Sequence, residues 1–203
     1  PMDRGKVLWE DDLEAFIQAH NGDWGRYKDY DGDGIPYRTL VGNQHTRSGY
    51  FTRGTSHDEY AEYTEDDIVW VRLFERIARK FETAQNYLPK PVLASMPGAR
   101  IGIIATGSVH PAVEEARDIL ETQGIPTDYM RVRSLPLANE VGDFLASHEQ
   151  VFVVEVNRDG QLADLITMKF PADSGRMKKL AYMDGLPITA KWIVSHVSAK
   201  EEK

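Results

Sequence analysis

Val151-Phe152-Val153-Val154-Glu155-Val156 runs directly into Asn157-Arg158-Asp159-Gly160-Gln161-Leu162, and this junction decides the fold. The first segment is apolar almost without interruption, as a strand buried on both faces must be. The polar, glycine-containing turn then delivers Leu162, Leu165 and Ile166, whose spacing is helical. The same strand–turn–helix plan occurs upstream. Residues 101–105 form a second apolar run, Ala105-Thr106-Gly107-Ser108 makes the turn, and a helix is predicted over 111–123. Pro111 suits its first turn and Gly124 its end.

Working outward, 129–133 reads as a further strand, and Val141, Phe144 and Leu145 mark a helix. Residues 179–182 read as a last strand and 190–197 as a closing helix. Strands separated by helices at this rhythm predict a mainly parallel sheet in a three-layer α/β/α domain over 98–203.

The first part of the chain reads differently. Residues 1–65 are rich in Gly, Asp, Tyr and Arg, and turn signals recur between 21 and 54. Such a stretch is expected to be an irregular connecting arm laid over another surface. Residues 66–97 are read as a helix and linker. Thr64 is its expected cap with Asp67 as the capping-box acid, and Pro89 and Pro91 its stop. Trp70, Leu73, Phe74, Ile77 and Phe81 fall on one apolar stripe.

Composition excludes several classes. The 203 residues carry a net charge of −8, which argues against nucleic acid or an anionic membrane as partner. No apolar run approaches the roughly 20 residues of a membrane span. There is no cysteine, so the chain offers no thiolate nucleophile, no disulfide and no ligands for an ordinary iron–sulfur cluster. The opening Pro1-Met2-Asp3 suggests a piece of a longer protein.

Two motifs imitate cofactor sites. Gly32-Asp33-Gly34 begins like the thiamine diphosphate–Mg²⁺ signature, but Asn43 comes too early and Asn86 too late to complete it. Asp29, Asp31 and Asp33 begin like a calcium loop, yet the closing twelfth position is Leu40. Both are read as an acidic turn, and neither catalytic nor metal-ligating residues are assigned. Thr106, Gly107 and Ser108 are anion-binding candidates, because open α/β sheets bind ligands at their strand carboxyl ends. Asn157 or Asp159 is the expected helix cap. Asn157 and Gln161, in a turn dense with hydrogen-bonding groups, are candidates for a partner interface or substrate cavity. The cluster Arg53, His57, Asp58 and Glu59 is a candidate of the same kind. His148 and His196 are read as helix-end or surface residues.

Asp31-Gly32-Asp33-Gly34-Ile35-Pro36-Tyr37-Arg38-Thr39-Leu40 and Tyr50-Phe51-Thr52-Arg53-Gly54-Thr55-Ser56-His57-Asp58-Glu59-Tyr60 resemble the α subunit of 2-oxoacid:ferredoxin oxidoreductases. So do Arg79-Lys80-Phe81-Glu82-Thr83-Ala84, Glu155-Val156-Asn157-Arg158-Asp159-Gly160-Gln161-Leu162 and Asp184-Gly185-Leu186-Pro187. The first stretch most resembles the 2-oxoglutarate branch. This resemblance implies a C-terminal piece of the α subunit, with a five-stranded sheet similar to the C-terminal domain of transketolase. The whole cytoplasmic enzyme would oxidatively decarboxylate a 2-oxoacid, pass electrons singly to ferredoxin and form an acyl-CoA. Thiamine diphosphate, Mg²⁺ and a [4Fe–4S] cluster would be held largely by the β subunit. This chain would pack against that subunit and wall the active site, and would be inactive alone. Alternatives are the C-terminal region of another thiamine enzyme, or a stand-alone small-molecule-binding α/β module using residues 106–108.

Overall fold

The structure is a computed structural model that describes residues 5–50, 54 and 56–199. It divides the chain into two compact units, Pro1–Tyr87 and Leu88–Lys203, each with a core of its own.

The second unit is the α/β domain. Its strands are β1 (Val92–Ala94), β2 (Ile101–Thr106), β3 (Thr127–Val132), β4 (Gln150–Glu155) and β5 (Met177–Ala181). They lie in the order β1-β3-β2-β4-β5, with β1 antiparallel to β3 and the other pairs parallel. The mainly parallel five-stranded sheet is therefore present. Alternation along β2 and β4 feeds two separate cores. Ile103, Ala105, Phe152 and Val154 face α3 (His110–Thr122) and α6 (Ala190–Ser198), where Val113, Leu120, Ile193 and Val197 are fully buried. Ile104, Val151 and Val153 face α4 (Glu140–Ser147) and α5 (Gln161–Lys169) through Val141, Leu145 and Ile166. Each of the buried Val, Leu, Ile and Phe side chains contributes about 1.5–3 kcal/mol by leaving water. Gly102 is required by packing, since a Cβ there would lie 2.6 Å from the Phe144 ring.

Three local readings change. The edge strand β1 lies in what the sequence marks as linker, because three residues after Pro91 carry too little pattern to read. Leu165 is exposed although its helical spacing is apolar. His148 ends α4, as one of its two readings had it, but is buried rather than on the surface: Nδ1 donates to the Phe144 carbonyl at 2.7 Å, and Nε2 lies 3.1 Å from Asp128.

The first unit has a small core of Leu8, Leu13, Ile17 and Trp24 around α1 (Glu10–Ala19). Its other helix is α2 (Asp67–Ala84), which the structure groups with the preceding residues rather than with a linker to residue 97. Asp66, not Thr64, caps it by accepting from the Val69 N–H at 2.9 Å. Thr64 accepts from the Asp66 N–H one step earlier. The helix ends at Ala84, before either proline. Its predicted stripe is divided: Leu73 is buried, whereas Trp70, Phe74 and Phe81 are exposed.

The acidic turn is docked onto α2. Asp29 pairs with Arg79 at 3.0 Å and accepts from the Gly34 N–H at 2.9 Å. Thr83 donates to the Asp33 carbonyl at 2.6 Å, and Arg76 donates to the Gly34 carbonyl at 3.0 Å. Lys6 lies 2.6 Å from Asp31 and 2.7 Å from Asp33. Burial would raise the Asp33 pKa, but hydrogen bonds from Lys6 and the Ile35 N–H outweigh it and hold the carboxyl below its ordinary value.

Gly34 has φ +80°, and a Cβ there would lie 2.4 Å from the Lys80 nitrogen and 2.8 Å from the Arg76 carbonyl. Gly32 has φ +76° but open space around it. Gly34→Ala should therefore destabilise the unit by about 2–4 kcal/mol, and Gly32→Ala by about 1 kcal/mol, in urea unfolding. Equal effects would mean that the turn does not rest on the helix. A carboxylate with a depressed pKa adds stability above its unfolded value, ordinarily 3.8, and loses it as pH falls through the lower folded value. Stability measured below pH 3.8 should accordingly fall less steeply in Asp33→Asn, whose side-chain oxygen can still accept from Ile35.

Candidate functional site

In the second unit the chain leaves β2 toward β3 on one side and later places β4 on the other, so the strand order switches between β2 and β4. Crevices in open α/β sheets form at the strand carboxyl ends beside such a point. One of about 430 Å³ lies here, lined among others by Thr106, Arg133, Glu155, Asn157, Gln161 and Leu165.

The floor is built by Glu155, only 3% exposed at the end of β4. Its carboxylate accepts from the N–H groups of Leu162 at 2.8 Å and Ala163 at 3.1 Å, which are two of the otherwise unpaired donors opening α5. The positive end of the helix dipole favours a carboxylate there. Asn157 donates to Glu155 at 2.6 Å. Its side-chain oxygen accepts from the Gly160 N–H at 2.7 Å and the Gln161 N–H at 3.2 Å. Gly160 completes the turn at φ +75°. The expected capping role thus falls to Glu155, with Asn157 shaping the turn, while Asp159 pairs with Arg158 at 2.6 Å.

Glu155 is committed to the backbone, which leaves binding groups at the crevice. Gln161 and Arg133 are exposed at its rim, beside Leu135 and Leu165. These groups can hold and orient a carboxylate or amide; among the described lining residues none is a free general base or nucleophile. Of the anion candidates, Thr106 donates to the Val132 carbonyl at 3.0 Å. Thr106 and Gly107 also border a neighbouring groove of about 500 Å³ with Arg131 and Arg133. Ser108 is exposed in the short 3-10 turn before α3.

The other candidate cluster belongs to the first unit. Arg53 lies outside the described residues. His57 is 5% exposed, stacked on Tyr27 at 4.1 Å between ring centres, and its Nδ1–H donates to the Asp58 carbonyl at 2.8 Å. Asp58 accepts at 2.9 Å from the N–H groups of Tyr60 and of Glu62. Glu59 accepts through its carbonyl from Tyr27 N–H at 2.9 Å, and its carboxylate lies 3.4 Å from Arg72. The described residues around His57 thus form a folded turn. Asp58 and Glu59 line a cleft of about 260 Å³ with Asp29, Arg72 and Arg79.

Sequence reasoning missed Arg131, Arg133 and Leu135. Their signal was position, at the carboxyl end of a strand beside a switch point, but strand order is not written locally. Among the described residues, no group of three or more His, Asp or Glu is placed to hold a metal ion.

Fold and crevice define a class first: a three-layer α/β domain that presents binding groups at the carboxyl ends of its strands and keeps its buried carboxylate for structure. No family model matches the chain. In sequence, however, it is similar to α subunits of 2-oxoacid:ferredoxin oxidoreductases, as the quoted motifs imply. It is 31% identical to 2-oxoacid:ferredoxin oxidoreductase 2, subunit alpha, of Aeropyrum pernix over 171 residues, covering 82% of this chain and 24% of that one. It is 29% identical to the oxidoreductase 1 alpha subunit of that organism, covering 57% of this chain and 19% of the other. The chain thus spans about a quarter or less of the length of these curated relatives. The 2-oxoglutarate:ferredoxin oxidoreductase of Magnetococcus marinus, solved with 2-oxoglutarate, coenzyme A and succinyl-CoA bound, shares the fold. Its TM-score is 0.74 at 23% identity, over 87% of this chain and 30% of that one.

Loss of the Glu155 carboxylate would strand the Leu162 and Ala163 N–H groups. Glu155→Ala should therefore cost about 2–4 kcal/mol in thermal or urea unfolding, whereas Gln161→Ala at the rim should stay within about 0.5 kcal/mol. A stable Glu155→Ala protein would free this carboxylate for a role other than capping.

Proposed function

We propose that this chain forms the C-terminal region of the α subunit of a 2-oxoacid:ferredoxin oxidoreductase, acting on 2-oxoglutarate. The observation that carries the reading is the 31% identity with the Aeropyrum α subunit over 82% of the chain. In the cytoplasm the complete enzyme would oxidise and decarboxylate the 2-oxoacid, form an acyl-CoA and deliver electrons to ferredoxin. No helix of the described residues is long and apolar enough to cross a membrane.

The donor set does not fit the redox cofactors of such an enzyme. Cysteine is absent, Asp31 and Asp33 are engaged by Lys6, and Asp29 by Arg79. Thiamine diphosphate, Mg²⁺ and the [4Fe–4S] cluster would be held by the rest of the complex, chiefly the β subunit, and no chemical step is routed through this chain. Its contribution is packing and positioning. Arg133, Asn157, Gln161 and the 106–108 turn would present binding groups at the edge of the active-site cavity. Arg53, His57, Asp58 and Glu59 would meet the subunit junction. The exposed apolar face of α2, with Trp70 47% and Phe81 56% exposed, supports a packing role.

The test uses the complete enzyme containing this chain, assayed by 2-oxoglutarate-dependent viologen reduction. Arg133→Ala and Gln161→Ala should raise KM more than they lower kcat, by roughly fivefold or more. Trp70→Ser with Phe81→Ser should reduce co-purification of the β subunit. Turnover by the purified 203-residue chain alone, or full activity of a complex lacking it, would overturn the proposal.

A further inference from the structure

The first unit contains a cleft whose charge is opposite to that of the chain. Lys6, Arg26, Arg38, Arg76 and Lys80 line a space of about 450 Å³, and no carboxylate is among its described lining residues. The whole chain carries a net charge of −8. Lys6 is neutralised by Asp31 and Asp33. Arg26, Arg76 and Lys80 make no such ion pair among the described residues. Asp29, whose charge acts on Arg76, is held by Arg79.

Two guanidinium groups are only partly satisfied. Arg76 is 9% exposed, and one Nη donates to the Gly34 carbonyl at 3.0 Å, but its buried Nε has no partner. Arg26 lies 4.9 Å over the rings of Tyr27 and Tyr50 and reaches the Tyr37 carbonyl at 3.4 Å, and its buried Nε is likewise unpaired. Lys80 on α2 has its pKa lowered by burial and then by the charges of Arg76, Arg26 and Arg38. Buried donors without partners, gathered with like charges, are costly unless an anion completes them. Guanidinium groups match the flat or tetrahedral oxygens of carboxylates and phosphates, and a lysine adds a point charge.

The geometry points to an oxyanion-binding site between α2 and the residue 26–38 segment, completed by the phosphate or carboxylate groups of a small dianionic ligand. Arg26 and Arg76 supply directed N–H donors, Lys80 supplies charge, and His57 and Ile77 form part of the wall. This site is independent of the assignment to an oxidoreductase, and it is tested by binding rather than by turnover.

Inorganic phosphate and malonate are titrated separately into the 203-residue chain by calorimetry at low ionic strength, with thermal unfolding in parallel. Saturable binding of one equivalent, with a raised Tm, is expected for at least one of them. Tighter binding of phosphate assigns the site to a phosphate ester, and tighter binding of malonate to a dicarboxylate. Lys80→Met and Arg26→Met should each weaken that binding about tenfold or more, while Lys178→Met on β5 leaves it unchanged. Lys80→Met carries the decision if Arg26→Met unfolds, because no hydrogen bond of the fold depends on the Lys80 ammonium among the described residues. Absence of saturable binding by both probes, or binding that Lys80→Met does not weaken, would overturn the inference.

Discussion

Burial of β2 and β4 on both faces is the constraint from which the second unit follows. Each strand must send side chains into two cores, so helices must cover both sides of the sheet. The demand reaches single atoms. Gly102 leaves room for the Phe144 ring, and Gly142 does the same for Phe170, where a Cβ would approach within 2.8 Å. With both faces occupied, polar groups can collect only at the strand ends. Glu155 sits at such an end and spends its carboxylate on opening α5, which leaves Arg133 and Gln161 to face solvent in the crevice.

The first unit is held on a different principle. Its apolar core is small, and much of its long-range order comes from charge-assisted bonds between residues far apart in the chain, such as Lys6 with Asp31 and Asp29 with Arg79. The acidic turn that imitates a metal loop is the anionic half of this docking arrangement. At Gly34 turn and helix backbone meet with no room for a Cβ between them.

How much of this was legible in the sequence depends on the range of the interaction involved. The strands β2 and β4 and the helix α3 follow from local apolar runs, and α3 was placed to within one residue at each end. The strand β1 was not readable, since three residues show no period. The α2 stripe was seen as apolar, but spacing cannot say which part its own unit covers. Leu73 is covered and Phe74 is not. Asn157 and Gln161 were recognised because polar groups crowd one turn. Arg133, Arg26 and Arg76 were missed because their significance lies in partners brought near by topology. His57 was judged by its polar neighbours in sequence, whereas stacking on Tyr27, thirty positions away in the chain, fixes its surroundings.

The two outer strands of the sheet bear on how the second unit behaves among copies of itself. An unpaired strand edge is a template for another chain, and long flat uncharged edges invite it. On one side the sheet ends in β1, only three residues long and preceded by Pro91. On the other it ends in β5, where Lys178 and Lys179 are exposed and the Lys179 ammonium is paired with Asp164. A newcomer strand would find too few backbone groups at the first edge and would have to bury charge at the second. The sheet is thereby guarded against growth by strand addition, and residues that contribute nothing to its core contribute to its remaining a sheet of five.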